Sequence, residues 1–245
     1  MELLGIDIGG SGIKGAPVEL ETGRLTRDRQ KFLTPQPATP EAVAGVVTQL
    51  VEHFKWEGPI GCTFPAVVRQ GVVHSAANVD KSWVGIDGER LFREATGQPV
   101  ALLNDADAAG IAEMQFGAGH DRGGVVTILT FGTGIGSAVF VDGHLHPNTE
   151  LGHLEFKGMD AERYAAARVR EAEELTYKAW GTRVNEYLEH LEDIFSPDLF
   201  IIGGGVSRKI KKFESYLVLD TEVVPARLRN EAGLIGAALI ARDRL

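Results

Sequence analysis

The chain has 245 residues, 44% hydrophobic and 24% charged, the composition of an ordinary soluble protein with material for one large core or two small ones. Its formal net charge is −9, which argues against a general binder of nucleic acid or acidic membranes, so any anionic ligand must be held by a local positive site. One cysteine, Cys62, excludes an internal disulfide and a thiol-rich metal site. No apolar run approaches the ~20 residues of a bilayer span and no signal-peptide pattern opens the chain, so the expected compartment is a reducing cytoplasm.

Leu3 to Ile6 reads as a buried strand. It ends at Asp7, and Gly9, Gly10 and Gly12 turn the chain into a second strand from Ile13. A glycine-rich tip lets backbone N–H groups converge on a phosphate. Ser11 and Lys14 add a hydroxyl and a positive charge, and Asp7 stands where it could hold Mg²⁺. A tight hairpin without ligand is the competing reading. Residues 34–40, TPQPATP, exclude regular structure. They lead into a helix with Thr39 as N-cap, Pro40 at its first position, and Val43, Val46, Val47, Leu50, Val51 and Phe54 on one face. Residues 58–68 read as a buried strand running into a loop. The loop 76–85 carries Asn78, Asp80, Lys81 and Trp83. Trp83 reads first as packing, with a sugar-facing role for Asn78 or Trp83 as the alternative.

Val100 to Leu103 is a short apolar strand ending in NDADAAG, 104–110, which opens a helix to about Phe116. Asn104 and Asp105 thus stand at a strand-to-helix junction, where a carboxylate suits the positive helix end; simple capping explains them equally well. Gly117 to Gly124 is a glycine-rich link. Residues 125–141 then repeat the opening pattern: strand, turn at Gly132, Gly134 and Gly136, strand, with Thr133 in the place of Ser11. Asp142-Gly143 reads as a tight turn, and 147–153 as a polar loop with Glu150 and His153. From 161 to 195 the composition is helical, with a break expected at Gly181. Leu199 to Ile202 is a buried strand ending in Gly203, Gly204 and Gly205, followed by Arg208, Lys209, Lys211 and Lys212; a helix from about Glu231 to Arg242 closes the chain.

Two similar glycine hairpins, one in each half, predict a duplicated α/β fold, two α/β domains around a central cleft. The expected division is 1–117, 118–230 and a C-terminal helix, 231–245, packing back on the first domain. Phosphoryl transfer needs phosphate clamps, a metal and an orienter or base for the nucleophile. The glycine loops and Asp7 are candidates for the first two and Asp105 for the third, with Asn104, Glu150 and His153 for the hydroxyls of a polyol.

DIGGSGIKG (7–15), TFPAVV (63–68), AANVDKSW (76–83), NDADAAG (104–110), LTFGTGIGSA (129–138), PNTELGH (147–153) and LFIIGGGVS (199–207) together resemble the ROK sugar-kinase family, and within it the polyphosphate-using glucokinases. The resemblance covers nearly the whole chain. It implies the actin-like ATPase (ribonuclease H-like) fold and transfer of a phosphoryl group from polyphosphate or ATP, with Mg²⁺, to the 6-hydroxyl of glucose or mannose. It implies Asp105 as base, and sugar contacts from Asn104, Glu150, His153 and Glu162, with Asn78 a further candidate. Gly9, Gly10, Ser11, Gly12, Lys14, Gly132, Thr133, Gly134, Gly204, Gly205, Lys209 and Lys212 would then meet the donor. It also suggests a homodimer. The family's cysteine-rich zinc loop is replaced here by LEFKGMDAE (154–162), so no zinc is expected. An ATP-only kinase for mannose or fructose, and a sugar sensor without catalysis, are the alternatives.

Overall fold

The computed structural model describes residues 1–76 and 79–245. In chain order its strands and helices are β1 (Glu2–Ile8), β2 (Ile13–Glu19), β3 (Arg24–Leu25), β4 (Gln30–Phe32), α1 (Pro40–Phe54), β5 (Ile60–Phe64), β6 (Val68–Arg69), β7 (Val72–Val73), α2 (Gly88–Thr96), β8 (Val100–Asn104) and α3 (Asp105–Phe116). There follow β9 (Val125–Phe131), β10 (Ile135–Val141), β11 (His144–His146), β12 (Glu155–Phe156), β13 (Met159–Asp160), α4 (Ala161–Ala165), α5 (Ala167–Ala172), α6 (Tyr177–Phe195), β14 (Leu199–Gly204), β15 (Glu222–Pro225) and α7 (Ala232–Arg244). Two compact units result: Met1–Ala112 with Glu231–Leu245, and Glu113–Asn230. The division falls inside α3.

The first unit carries a sheet of order β3-β2-β1-β5-β8, with β4 also pairing β2. β1 and β2 are antiparallel, whereas β1, β5 and β8 run parallel. α1 begins as its sequence predicts: Thr39 Oγ1 accepts the Ala42 N–H, Pro40 takes the first turn, and the predicted apolar face is buried. α7 packs on β1, β5 and β8. It comes so close that a Cβ on Gly61 would lie 1.6 Å from the carbonyl oxygen of Ala237, so only glycine fits there. Trp83 is fully buried, packs on Phe64 and Phe92, and donates its indole N–H to the Ala38 carbonyl at 2.9 Å. The packing reading therefore holds for Trp83 and the sugar-facing alternative does not: its one polar atom is already satisfied. Asn78 lies outside the described residues.

The second unit repeats the plan with the order β11-β10-β9-β14-β15, an antiparallel hairpin β9–β10 followed by parallel β9, β14 and β15. Its core gathers around Phe131, Trp180, Tyr187, Phe200 and Phe213. The helical stretch does not break at Gly181. That glycine is buried within α6 because Phe213 and Tyr216 pack on it, and a Cβ there would lie 3.1 Å from Phe213 Cβ. The breaks come earlier, at Ala166 and at Glu173–Thr176. There Glu174 takes a left-handed turn, and the Thr176 hydroxyl caps α6 through the Ala179 N–H.

Candidate active site

In the first unit the parallel strands collect the polar residues at their C-terminal ends, the edge where ligands bind in open α/β sheets. β1 ends beyond Asp7, which pairs in register with Thr63 of β5, and β5 runs on to Phe64 opposite Asn104 of β8. Asp7 is held on both oxygens: Lys14 Nζ is 3.1 Å from Oδ2 and the Thr63 hydroxyl donates to Oδ1 at 3.0 Å. Thr63 was not singled out from sequence, because a threonine in an apolar strand carries no mark of its partner across the sheet. The glycine loop between β1 and β2 closes on itself through the Gly9 N–H to the Gly12 carbonyl, and Thr34 donates its hydroxyl to the Gly9 carbonyl. Gly10 and Ser11, at its tip, are exposed.

Asn104 is buried and caps α3. Its Oδ1 accepts the N–H groups of Ala106 and Asp107 at 2.9 and 3.0 Å, and its amide donates to the Ala66 carbonyl at 3.0 Å. One amide N–H remains for a ligand. Asp105 opens the helix beside it, half-buried, with Oδ1 on the Ala106 N–H at 2.9 Å. Asn104 therefore does the capping, and Asp105 stands at the helix N-terminus where an anion is favoured.

In the second unit the two remaining glycine turns lie side by side, since β9 and β14 are parallel neighbours with Gly204 in register with Phe131. Gly132 donates its N–H to the Gly134 carbonyl, and Thr133 is exposed at the tip. Gly204 has φ +77°, and a Cβ there would lie 2.4 Å from the Phe131 carbonyl oxygen. The cations after it, Arg208, Lys209, Lys211 and Lys212, are all exposed, and Lys212 also sits over the Tyr177 ring at 5.1 Å. None of the four forms an ion pair among the described residues.

The loop carrying Glu150 and His153 is fastened from below. The buried Ser137 hydroxyl donates to the Thr149 carbonyl at 2.7 Å and accepts the Leu151 N–H at 3.0 Å. Tyr187 of α6 donates to the Leu151 carbonyl at 3.0 Å, and burial pushes its phenol up. His153 stands between two carboxylates, with Nε2 3.8 Å from Glu150 and Nδ1 3.6 Å from Asp160. Burial raises the Glu150 carboxyl; His153 counters this and the neighbouring Glu162 adds to it. Glu162 also accepts the Ile135 N–H at 3.2 Å, which ties the sugar-site candidate to the second glycine loop. The hairpin β12–β13, where Asp160 sits, is pinned to α6 by Lys157 and Tyr164, both on Glu186. Sequence reading missed Asp160, Ser137 and Tyr187; only the polar tip of Tyr187 on an apolar face hinted at its bond.

The sequence profile of the ROK family matches residues 3–165. The chain is 55% identical to the polyphosphate glucokinase of Mycobacterium tuberculosis over 236 residues, 96% of this chain and 89% of that one. It is 51% identical to the polyphosphate glucokinase of Mycobacterium leprae, over 96% of this chain and 73% of that one. Among solved structures it is similar to the inorganic polyphosphate/ATP-glucomannokinase of Arthrobacter sp. strain KM, with TM-score 0.95, 48% identity, and coverage of 100% and 99% of the two chains. It also resembles the ROK glucokinase of Streptomyces griseus in complex with glucose and AMPPNP, with TM-score 0.81, 25% identity, and coverage of 99% and 100%. This chain belongs to the ROK family, and its fold is the duplicated actin-like ATPase fold of those sugar kinases.

Proposed function

We propose that this protein transfers the terminal phosphoryl group of inorganic polyphosphate, and also of ATP, to the 6-hydroxyl of glucose, giving glucose 6-phosphate. The observation that carries the reading is the polar edge of the first sheet. The β1–β5–β8 register brings Asp7 and Thr63 beside the first glycine loop and Asn104–Asp105 to the same edge. The polyphosphate glucokinases and glucomannokinase to which the chain is similar support the choice of donor and acceptor.

In this reading Asp105 accepts the proton of the sugar 6-hydroxyl as that oxygen attacks the terminal phosphorus. The new O–P bond forms while the bond to the bridging oxygen breaks, and a polyphosphate one unit shorter, or ADP, leaves with the bridging oxygen. The free N–H of Asn104 and the side chains of Glu150, His153 and Glu162 hold the other hydroxyls; the glycine loops hold the phosphates. Mannose is a second acceptor on the strength of the Arthrobacter glucomannokinase.

Mg²⁺ belongs to the same proposal. Among the described residues no three His, Cys, Asp or Glu side chains are grouped to hold a metal alone. In this reading the ion would arrive on the donor phosphates, keep waters and touch one carboxylate, and Asp7 is the carboxylate beside the loop. When bound, Mg²⁺ neutralises phosphate charge. We further propose a homodimer in the cytoplasm; no helix among the described residues is long and apolar enough to cross a membrane.

The Arg208–Lys212 cluster favours polyphosphate. A long polyanion needs cations spaced along its length, whereas adenosine needs an apolar slot. The test is initial rates of 6-phosphate formation with polyphosphate and with ATP, each with glucose, mannose and fructose. Product from glucose with polyphosphate in ATP-free buffer is expected. Product with ATP alone, from mannose or fructose, would favour the narrower hexokinase; no product with either donor, despite sugar binding, would favour a sensor.

A further inference from the structure

One cation at the first glycine loop carries no assignment so far. β4 pairs antiparallel with β2 in a register that sets Lys31 directly opposite Lys14, while Lys14 is directly opposite Asp7 of β1. Directly opposed residues point to the same face of a sheet. Thr63, Asp7, Lys14 and Lys31 therefore form one row across four strands.

Within that row the charges are not balanced. Lys14 is paired with Asp7 at 3.1 Å. Lys31 forms no ion pair among the described residues, although it faces another lysine, an arrangement that destabilises a sheet. Its side chain does not extend straight into solvent. It lies across the glycine loop, so that a Cβ built on Gly12 would fall 2.2 Å from Lys31 Cε and 3.1 Å from its Nζ. Gly12 does not have the left-handed backbone that favours glycine. A side chain there would push the flexible end of Lys31 aside, off the loop. The same segment then fastens the loop, through the Thr34 hydroxyl on the Gly9 carbonyl.

We infer that Lys31 is a donor-binding residue: its ammonium closes over the Gly9–Gly12 loop and takes an oxyanion of the phosphoanhydride donor at the end from which the phosphoryl group leaves. Lys14 stays with Asp7, and Lys31 is the cation this loop presents to phosphate. The inference rests on the reading that this loop receives the donor. Both donors share the terminal phosphates, so Lys31 acts on both, unlike the Lys209–Lys212 cluster.

The test compares wild type with Lys31→Met, which keeps the aliphatic stem over Gly12, and Lys31→Arg, which restores the charge. Tripolyphosphate binding is measured by calorimetry without sugar, and KM for polyphosphate, ATP and glucose is measured by rates. Lys31→Met should weaken tripolyphosphate binding and raise both donor KM values about 10- to 100-fold, the range of a lost charge-assisted hydrogen bond. The glucose KM should stay as in wild type and the melting temperature should not fall, and Lys31→Arg should recover most of the loss. Equal tripolyphosphate affinity and equal donor KM in Lys31→Met would overturn the inference while leaving the kinase reading intact. A wild type that makes no product yet binds tripolyphosphate through Lys31 would overturn the kinase reading alone. A wild type that does neither would overturn both.

Discussion

Asp160 Oδ2 lies 3.6 Å from Nδ1 of His153, so the imidazole has a carboxylate at each nitrogen, Glu150 being 3.8 Å from Nε2. Neither separation is a hydrogen bond, so the two carboxylates act on the ring through charge and position. In the proposed sugar site, Asp160 orients the imidazole that meets the sugar. Asp160→Asn should raise the glucose KM several-fold while leaving both donor KM values unchanged. A variant whose donor KM moves as much as its glucose KM would show that Asp160 only holds the hairpin together.

Glu150 sits with a half-exposed side chain whose carboxyl is raised mainly by burial. A raised carboxyl means that the folded state disfavours the charge. Its destabilising effect is present above the folded pKa and vanishes below the unfolded one. Glu150→Gln should therefore raise the melting temperature of the sugar-free protein at neutral pH. The gain should shrink as pH falls into the carboxylate range, while glucose affinity drops. Loss of thermal stability at neutral pH would contradict the assignment.

Glu113 is the buried carboxylate of the α3 end, 2% exposed. It accepts the N–H groups of Ala118, Arg227 and Leu228 at 2.8, 3.1 and 2.7 Å. It ties together the chain leaving α3 and the chain returning toward α7. Removing it leaves three backbone donors without their acceptor, each worth roughly 1–3 kcal/mol when left unsatisfied. Glu113→Ala should lower unfolding stability by about 2 kcal/mol or more in urea titration; an unchanged midpoint would mean that water replaces the carboxylate fully.

The strands, the three glycine turns and the Asn104–Asp105 junction were legible because each is written locally, as an apolar run followed by turn residues. The duplication was legible because the same local pattern recurs. What was not legible depends on distant partners. For Trp83 the sequence favours packing but leaves a sugar-facing role open until Ala38, 45 positions away, is found to take its N–H. Gly181 reads as a helix breaker until Phe213 and Tyr216 are seen to pack on it. Asp160 and Lys31 are ordinary charged residues in sequence. Only the β12–β13 hairpin and the β4 register bring them to His153 and to the first glycine loop.

The donor track gives a further expectation. Lys209, Lys211 and Lys212 are all exposed, Lys212 lying over the Tyr177 ring. Replacing Lys209, Lys211 and Lys212 with Ala should raise the KM for polyphosphate much more than that for ATP. It should also flatten the salt dependence of the polyphosphate KM, because fewer screened contacts remain. Equal effects on both donors, or none, would remove this cluster from the polyphosphate path.

The most direct measurement is the turnover of Asp105→Asn with polyphosphate and glucose, beside its glucose affinity. Asp105 is proposed as the base for the sugar 6-hydroxyl, beside Asn104, which already caps the helix. The variant should bind glucose within a few-fold of wild type and lose roughly 10²- to 10⁴-fold in kcat, the usual contribution of a general base. A kcat near that of wild type would contradict this, and Asp105 would then be part of the helix start and nothing more.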